Sequence, residues 1–213
     1  MKLPLALALL VTGLFSAAGF AADPAPVYEN KFESGTVDQA PEGAMAIAGD
    51  FLIKQEGANK FLELPGEPLD TFGILLGPAG QGDLTARAKF FGTKAGRKYP
   101  AFGVSLGGVG GYRLMVSAGK KLLEIFKADE VVKSVPFEWT SGEWTALRLS
   151  VRKAGAGWVV EGKAWPANGA EPKDWQVSLE LKDAPSAGRA GLWGSPYSGT
   201  PIRFDDLIIA PAS

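Results

Sequence analysis

Residues 139–151 read W-T-S-G-E-W-T-A-L-R-L-S-V, and residues 162–175 read G-K-A-W-P-A-N-G-A-E-P-K-D-W. They are followed by G-L-W-G at 191–194 and I-R-F-D-D-L-I-I-A-P at 202–211. Through Trp144–Arg152 the side chains alternate: Leu147, Leu149 and Val151 take one face, and Arg148, Ser150 and Arg152 the other. A period of two marks a half-buried strand. Gly, Pro and Asn interrupt these runs, with tryptophans at the punctuation points.

The same reading extends upstream and downstream. Val27–Phe32, Asp50–Lys54, Lys60–Leu64, Phe72–Leu76 and Asp83–Phe91 read as strands, the second and third joined around Gly57-Ala58-Asn59. Leu84, Ala86, Ala88 and Phe90 share one face of their run. Phe102–Leu106, Gly111–Ser117, Lys121–Lys127 and Glu130–Phe137 continue a meander, and Trp158–Trp165, Gln176–Leu181, Ala190–Trp193 and Ile202–Ile209 complete the set. Helical periodicity is nearly absent. About a dozen short, closely spaced strands predict an all-β sandwich or barrel. Two antiparallel sheets packed face to face would bury the inward sets and leave the alternate residues wet. The 28 Gly and 15 Pro fit many tight turns and edge positions.

The chain opens with a tripartite secretory pattern: Lys2, an apolar run over Leu3–Phe15, then Gly19-Phe20-Ala21 with small residues at a cleavage site. A signal peptide over 1–21 is expected, then a short polar leader over 22–26 and one domain over 27–211. The apolar run is shorter than the roughly 20 residues a membrane span needs, so no transmembrane segment is expected after cleavage. With no Cys, neither a lipid-anchored cysteine nor a disulfide is available, and core burial must hold the domain together. A bacterial periplasmic or extracellular location is expected. Lys and Arg (22) nearly balance Asp and Glu (23), and no basic stripe of the kind nucleic-acid binding requires is visible.

With these residues in view, the chain resembles the concanavalin A-like jelly-roll domains of exported bacterial proteins, of the LamG and 3-keto-disaccharide-hydrolase type. Such domains occur alone or with pyrroloquinoline-quinone-type β-propellers. The matching pieces are Phe32-Glu33-Ser34-Gly35, Gly49-Asp50-Phe51, Phe137-Glu138-Trp139 with Gly142-Glu143-Trp144, and Lys163-Ala164-Trp165-Pro166 with Glu171-Pro172-Lys173-Asp174-Trp175. Gly191-Leu192-Trp193-Gly194 and Phe204-Asp205-Asp206 close the pattern. The resemblance implies a jelly-roll β-sandwich. It implies function less sharply, because this fold carries lectins, hydrolases, lyases and accessory domains.

Chemistry narrows the choices. The chain has no His, so Ser-His-Asp and His-assisted mechanisms are excluded, and thiol chemistry fails for want of Cys. Jelly-roll glucanases place their acids in an E-x-D-x-x-E strand, and this chain has no E-x-D. Acids from separate strands, Glu124 and Glu161, are the catalytic pair expected of a hydrolase or lyase. The leading expectation is a non-catalytic carbohydrate-binding or accessory module. It would bind a glycan through Arg113, Lys163, Trp165 and Trp175, with Tyr197 in a loop-like stretch. Trp139, Trp144 and Trp193 stand at positions typical of packing. A third reading is a protein-interaction domain docking to a β-propeller partner. The resemblance also points to a structural calcium on Asp206 and Glu33 with carbonyls near Gly49. The Gly107–Gly111 run lacks the Lys and helix of a phosphate loop and reads as a hairpin turn.

Overall fold

The computed structural model describes residues 24–212. The expected signal segment, 1–21, lies outside the described residues. Among those residues the chain forms fifteen strands: β1 (Tyr28–Asn30), β2 (Met45–Ala48), β3 (Leu52–Glu56), β4 (Asn59–Leu64), β5 (Phe72–Gly80), β6 (Leu84–Phe91), β7 (Ala101–Leu106) and β8 (Tyr112–Ser117). They continue as β9 (Leu122–Lys127), β10 (Glu130–Pro136), β11 (Thr145–Ala154), β12 (Gly157–Pro166), β13 (Val177–Leu181), β14 (Gly188–Ser195) and β15 (Ile202–Pro211). The first sheet has the order β13-β12-β11-β6-β15-β4-β3, with β1 also paired to β15; the second has β10-β9-β8-β7-β14-β5-β2. All pairings in both sheets are antiparallel.

The alternation in the sequence becomes the inside and outside of this sandwich. Ala86, Ala88 and Phe90 of β6, Leu147, Leu149 and Val151 of β11, and Phe204, Leu207 and Ile209 of β15 face inward from the first sheet. Phe102, Val104 and Leu106 of β7, Leu114 and Val116 of β8, and Leu123 and Ile125 of β9 meet them from the second. Phe90 and Phe102 stack across the sheets at 5.3 Å between centroids, and Phe204 meets Phe90 edge-on at 5.6 Å. Each of these fully buried rings contributes about 1.5–3 kcal/mol by leaving water. At Gly162 a Cβ would lie 2.4 Å from Leu114, so the missing side chain admits a leucine from the opposite sheet.

Two departures from the sequence reading have local causes. Strand β2 was not expected: all four of its residues are exposed, so its composition carries no alternation. It pairs with β5 at an outer edge of the second sheet and is broken by a register shift between Ala46 and Ala48. Strand β5 runs past Leu76 to Gly80, through the partly exposed Gly77-Pro78-Ala79-Gly80, which the apolar run does not announce.

Candidate functional site

With the interior filled, chemistry is left to the two outer faces, which differ. On the first sheet, Glu161, Lys163 and Trp165 alternate outward along β12, between the inward Val160, Gly162 and Ala164. Residues 167–176 then fold back over that face. Gln176 ties them down by accepting from the Ala164 N–H at 2.8 Å and donating to its carbonyl at 3.0 Å. Glu171 meets Lys163 Nζ at 2.9 Å, Arg148 Nη1 at 3.0 Å and Arg87 Nη1 at 3.7 Å. Lys163 also donates to the Pro172 carbonyl at 2.7 Å and lies 4.7 Å from the centroid of the half-buried Trp175 ring. Arg87 covers Trp165, which is 4% exposed.

Burial opposes ionisation of Glu171, yet the bonds and charges of Lys163 and Arg148 outweigh it and hold the carboxyl below its ordinary range. Lys163, expected as a ligand contact, is therefore enclosed by the chain's own loop, and Trp165, expected as another, lies buried under Arg87. Trp175 serves that closure. The alternation along β12 turns Lys163 and Trp165 outward, but a period of two does not reveal what covers them.

The second sheet keeps an open cavity of about 510 Å³ on its outer face. The layer beneath its Arg113 comes from register. Trp193 of β14 stands opposite Gly73 of β5 on one side and Gly103 of β7 on the other. A Cβ at Gly73 would come within 2.7 Å of the indole, so the glycine lets the ring lie down on the sheet. Its Nε1 donates to Ser105 Oγ at 2.8 Å. Arg113 of β8 then lies over Trp193, its Cζ 4.3 Å from the ring centroid, with Phe126 of β9 at 5.5 Å. Its Nη2 donates to the Ala128 carbonyl and to Asp129 at 2.9 Å.

Nearby, the buried Glu124 accepts from Ser117 Oγ, and Lys120 Nζ stands 3.3 Å from both of its oxygens. Tyr99 and Tyr197 contribute aromatic rings to the cavity and Met115 a thioether. Tyr197 is 45% exposed, and its hydroxyl lies 3.1 Å from Thr71 Oγ1, which in turn lies 2.9 Å from Ser195 Oγ.

Of the expected ligand residues, only Arg113 lines this cavity; Lys163, Trp165 and Trp175 belong to the opposite sheet and its loop. Sequence reading passed over Tyr99, Met115 and Phe126. The outward parity of Met115 and Phe126 was the available signal. Trp193 packs as expected, though on the outer face and not between the sheets. Trp144 also packs outside, half-buried, with its ring 5.6 Å from Phe91.

The expected catalytic pair does not come together. Glu124 points outward from the second sheet, and Glu161 points outward from the first, where it is 2.9 Å from Arg152. Packed sheets are about 10 Å apart before outward side chains are added. Glycoside hydrolysis needs its two carboxyls within about 5–9.5 Å.

Glu33 and Asp206 do share a cavity, of about 570 Å³, with Lys31, Asn59, Lys89, Trp144, Asn168 and Asp205. A bulge in β15 places Asp205 and Asp206 between the inward Phe204 and Leu207, with Asp206 at φ 49°. Burial raises the Asp205 carboxyl above its ordinary value, against the pull of the Asp206 N–H. Lys89 Nζ already pairs with Asp206 at 2.6 Å, and Glu33 caps the Lys60 N–H. Among the described residues no group of three or more acids, His or Cys is placed to hold a metal. Calcium wants roughly six to eight oxygens; here Asp206 carries the Lys89 ammonium and Glu33 the Lys60 N–H.

No family model matches the chain, and no curated protein matches it. Solved structures do. A carbohydrate-binding module, CBM66 from Bacillus subtilis, superposes with a TM-score of 0.55 at 15% identity, over 79% of this chain and 95% of that one. A pseudo β-1,3-glucanase and immunostimulatory antigen of Mycobacterium tuberculosis, Rv0315, gives 0.58 at 13% identity, over 88% and 99%. The lectin UEA-II, solved with galactose, gives 0.53 at 12% identity, over 89% and 100%. At these identities the likeness is one of fold: the chain has the two-sheet sandwich of concanavalin A-like lectins and glucanases, and what it binds must be argued from its own outer faces.

Proposed function

We propose that this protein is an exported carbohydrate-binding module that holds a glycan in the second-sheet cavity and has no catalytic role of its own. The observation that carries the reading is the lining of the second-sheet cavity, where aromatic and hydroxyl groups meet; on the first sheet residues 167–176 cover Lys163, and the cavity at Glu33 and Asp206 is lined mainly by charged and amide groups. Sugar rings present apolar C–H faces and a fringe of hydroxyls. Tyr99, Tyr197 and Met115 suit the first; Thr71, Ser117, Ser195 and Lys120 suit the second. The separation of Glu124 from Glu161 supports the non-catalytic part. Export rests on the amino-terminal pattern alone.

The test is titration of the mature protein with an oligosaccharide panel, scoring tryptophan emission and released reducing ends. Binding without release is expected. Tyr197→Ala should weaken it about tenfold, a loss of ~1.4 kcal/mol, while leaving the melting temperature unchanged because the ring is exposed. Binding that ignores Tyr197→Ala, or an unresponsive panel, would refute the cavity assignment. Released ends would refute the non-catalytic part.

A further inference from the structure

The cavity holds one charged group in a setting that a neutral sugar does not require. Arg113 is 6% exposed, and its guanidinium is fixed by the rings of Trp193 and Phe126. Stacking of this kind orients the plane of the group and leaves its N–H edges to do the recognising. The protein satisfies those edges incompletely. Nη2 serves Ala128 and Asp129, while Nε is buried without a hydrogen-bond partner. A buried donor left unmade is costly, and a guanidinium's fork matches a carboxylate with two parallel bonds.

The counter-ion in place is a poor one to keep. The Asp129 side chain is 97% exposed at the β9–β10 turn, so water competes for it fully. The other carboxylate nearby, Glu124, is offset by Lys120 and the Ser117 hydroxyl and does not compete for Arg113. The cavity thus presents a buried, oriented cation whose present partner can be exchanged from solution.

We propose that the cavity selects an acidic saccharide, a sugar whose carboxylate takes the place of Asp129 on Arg113 while its ring packs toward Tyr99 and Tyr197. This rests on the carbohydrate-binding reading and narrows it to a substrate class.

The experiment is calorimetric titration of the mature protein with oligomers of galacturonate, mannuronate and glucuronate, each against its neutral methyl ester. At least one free acid should bind tenfold or more tightly than its ester, with an advantage that shrinks as salt is added. Asp129→Asn should tighten binding of the acid severalfold more than that of its ester. Arg113→Lys, which keeps the charge but loses the fork, should weaken the acid about tenfold or more. Because Arg113 is buried, its variant is open to a folding defect; Asp129→Asn alters an exposed side chain and carries the test independently.

Acid and ester binding equally, or Asp129→Asn without effect, would overturn the proposal. If neutral oligosaccharides bind in a Tyr197-dependent way and no uronate does better, the acidic class falls and the carbohydrate module stands. If no sugar binds, both fall.

Discussion

Glu171→Gln removes the one carboxylate on which three cations of the first sheet converge, while keeping the size of the side chain. Lys163 and Arg148 are 8% and 12% exposed in their side chains, at 2.9 and 3.0 Å from Glu171. Breaking a buried pair from one side costs about 3–5 kcal/mol, because the remaining charge is left uncompensated. Glu171 is itself 24% exposed, and Lys163 keeps the Pro172 carbonyl, so the lower end, about 3 kcal/mol, applies. Arg87, at 3.7 Å and 36% exposed, adds roughly nothing. For a domain of this size that corresponds to a melting temperature lower by about 6–12 °C.

The pH dependence gives an independent handle. The folded pKa of Glu171 lies below its ordinary value of 4.5, so its contribution is complete above that value and is lost as the pH falls through the lower folded pKa. Urea unfolding followed by tryptophan emission at several pH values would show this acid limb in the wild type and a weaker one in Glu171→Gln. A cycle with Lys163→Met should give a coupling above about 1 kcal/mol. If Glu171→Gln melts within a degree of the wild type and tracks it across pH, the network is solvated and the loop is held by packing alone.

Other expectations follow from single positions. Gly73→Ala places a methyl group within 2.7 Å of the Trp193 ring, against a sheet that cannot yield, and should cost about 1–3 kcal/mol by overpacking. Tryptophan emission should shift as the indole lifts; an unchanged spectrum and denaturation midpoint would mean that the ring does not lie where described. Asp205→Asn keeps an oxygen for the Asp206 N–H and removes a buried charge. Because burial raises the folded pKa of Asp205 above its ordinary 3.8, the native protein holds that proton more tightly than the unfolded chain. Wild-type stability should therefore fall as the pH rises from about the ordinary value through the raised one. Asp205→Asn should lose this decline and be the more stable protein at neutral pH, which melting curves from pH 3 to 7 would check.

The sequence made the sandwich readable because nearly every strand alternates against a common core. Leu147, Leu149 and Val151 announce their face, and only β2, exposed on all four residues, had no pattern to announce. The same alternation carries Arg113, Glu124, Glu161, Lys163 and Trp165 to the outer faces. It did not tell which sheet each belongs to. Sheet membership is set by long-range strand order, which places β9 and β12 on opposite layers and separates Glu124 from Glu161. Nor does a period of two foresee that a distant Glu171 will close over Lys163, or that Gly73 and Gly103 will be brought level with Trp193.

Loop length then shapes what each outer face covers. The β12–β13 connection spans ten residues, 167–176, where a hairpin usually needs about two to five. The excess lies down on its own sheet and is fastened there by Gln176 and Glu171. On the second sheet, β8–β9 and β9–β10 turn over residues 118–121 and 128–129, too few to reach back across the strands. The longer connections bordering that face, 92–100 and 196–201, reach its margin and deliver Tyr99 and Tyr197 without covering it. The cavity beside Arg113 stays open between them. Shortening 167–176 would expose Lys163, and lengthening 118–121 would close the cavity. The position of the site is thus a property of the connections, laid over a core that would be the same in either case.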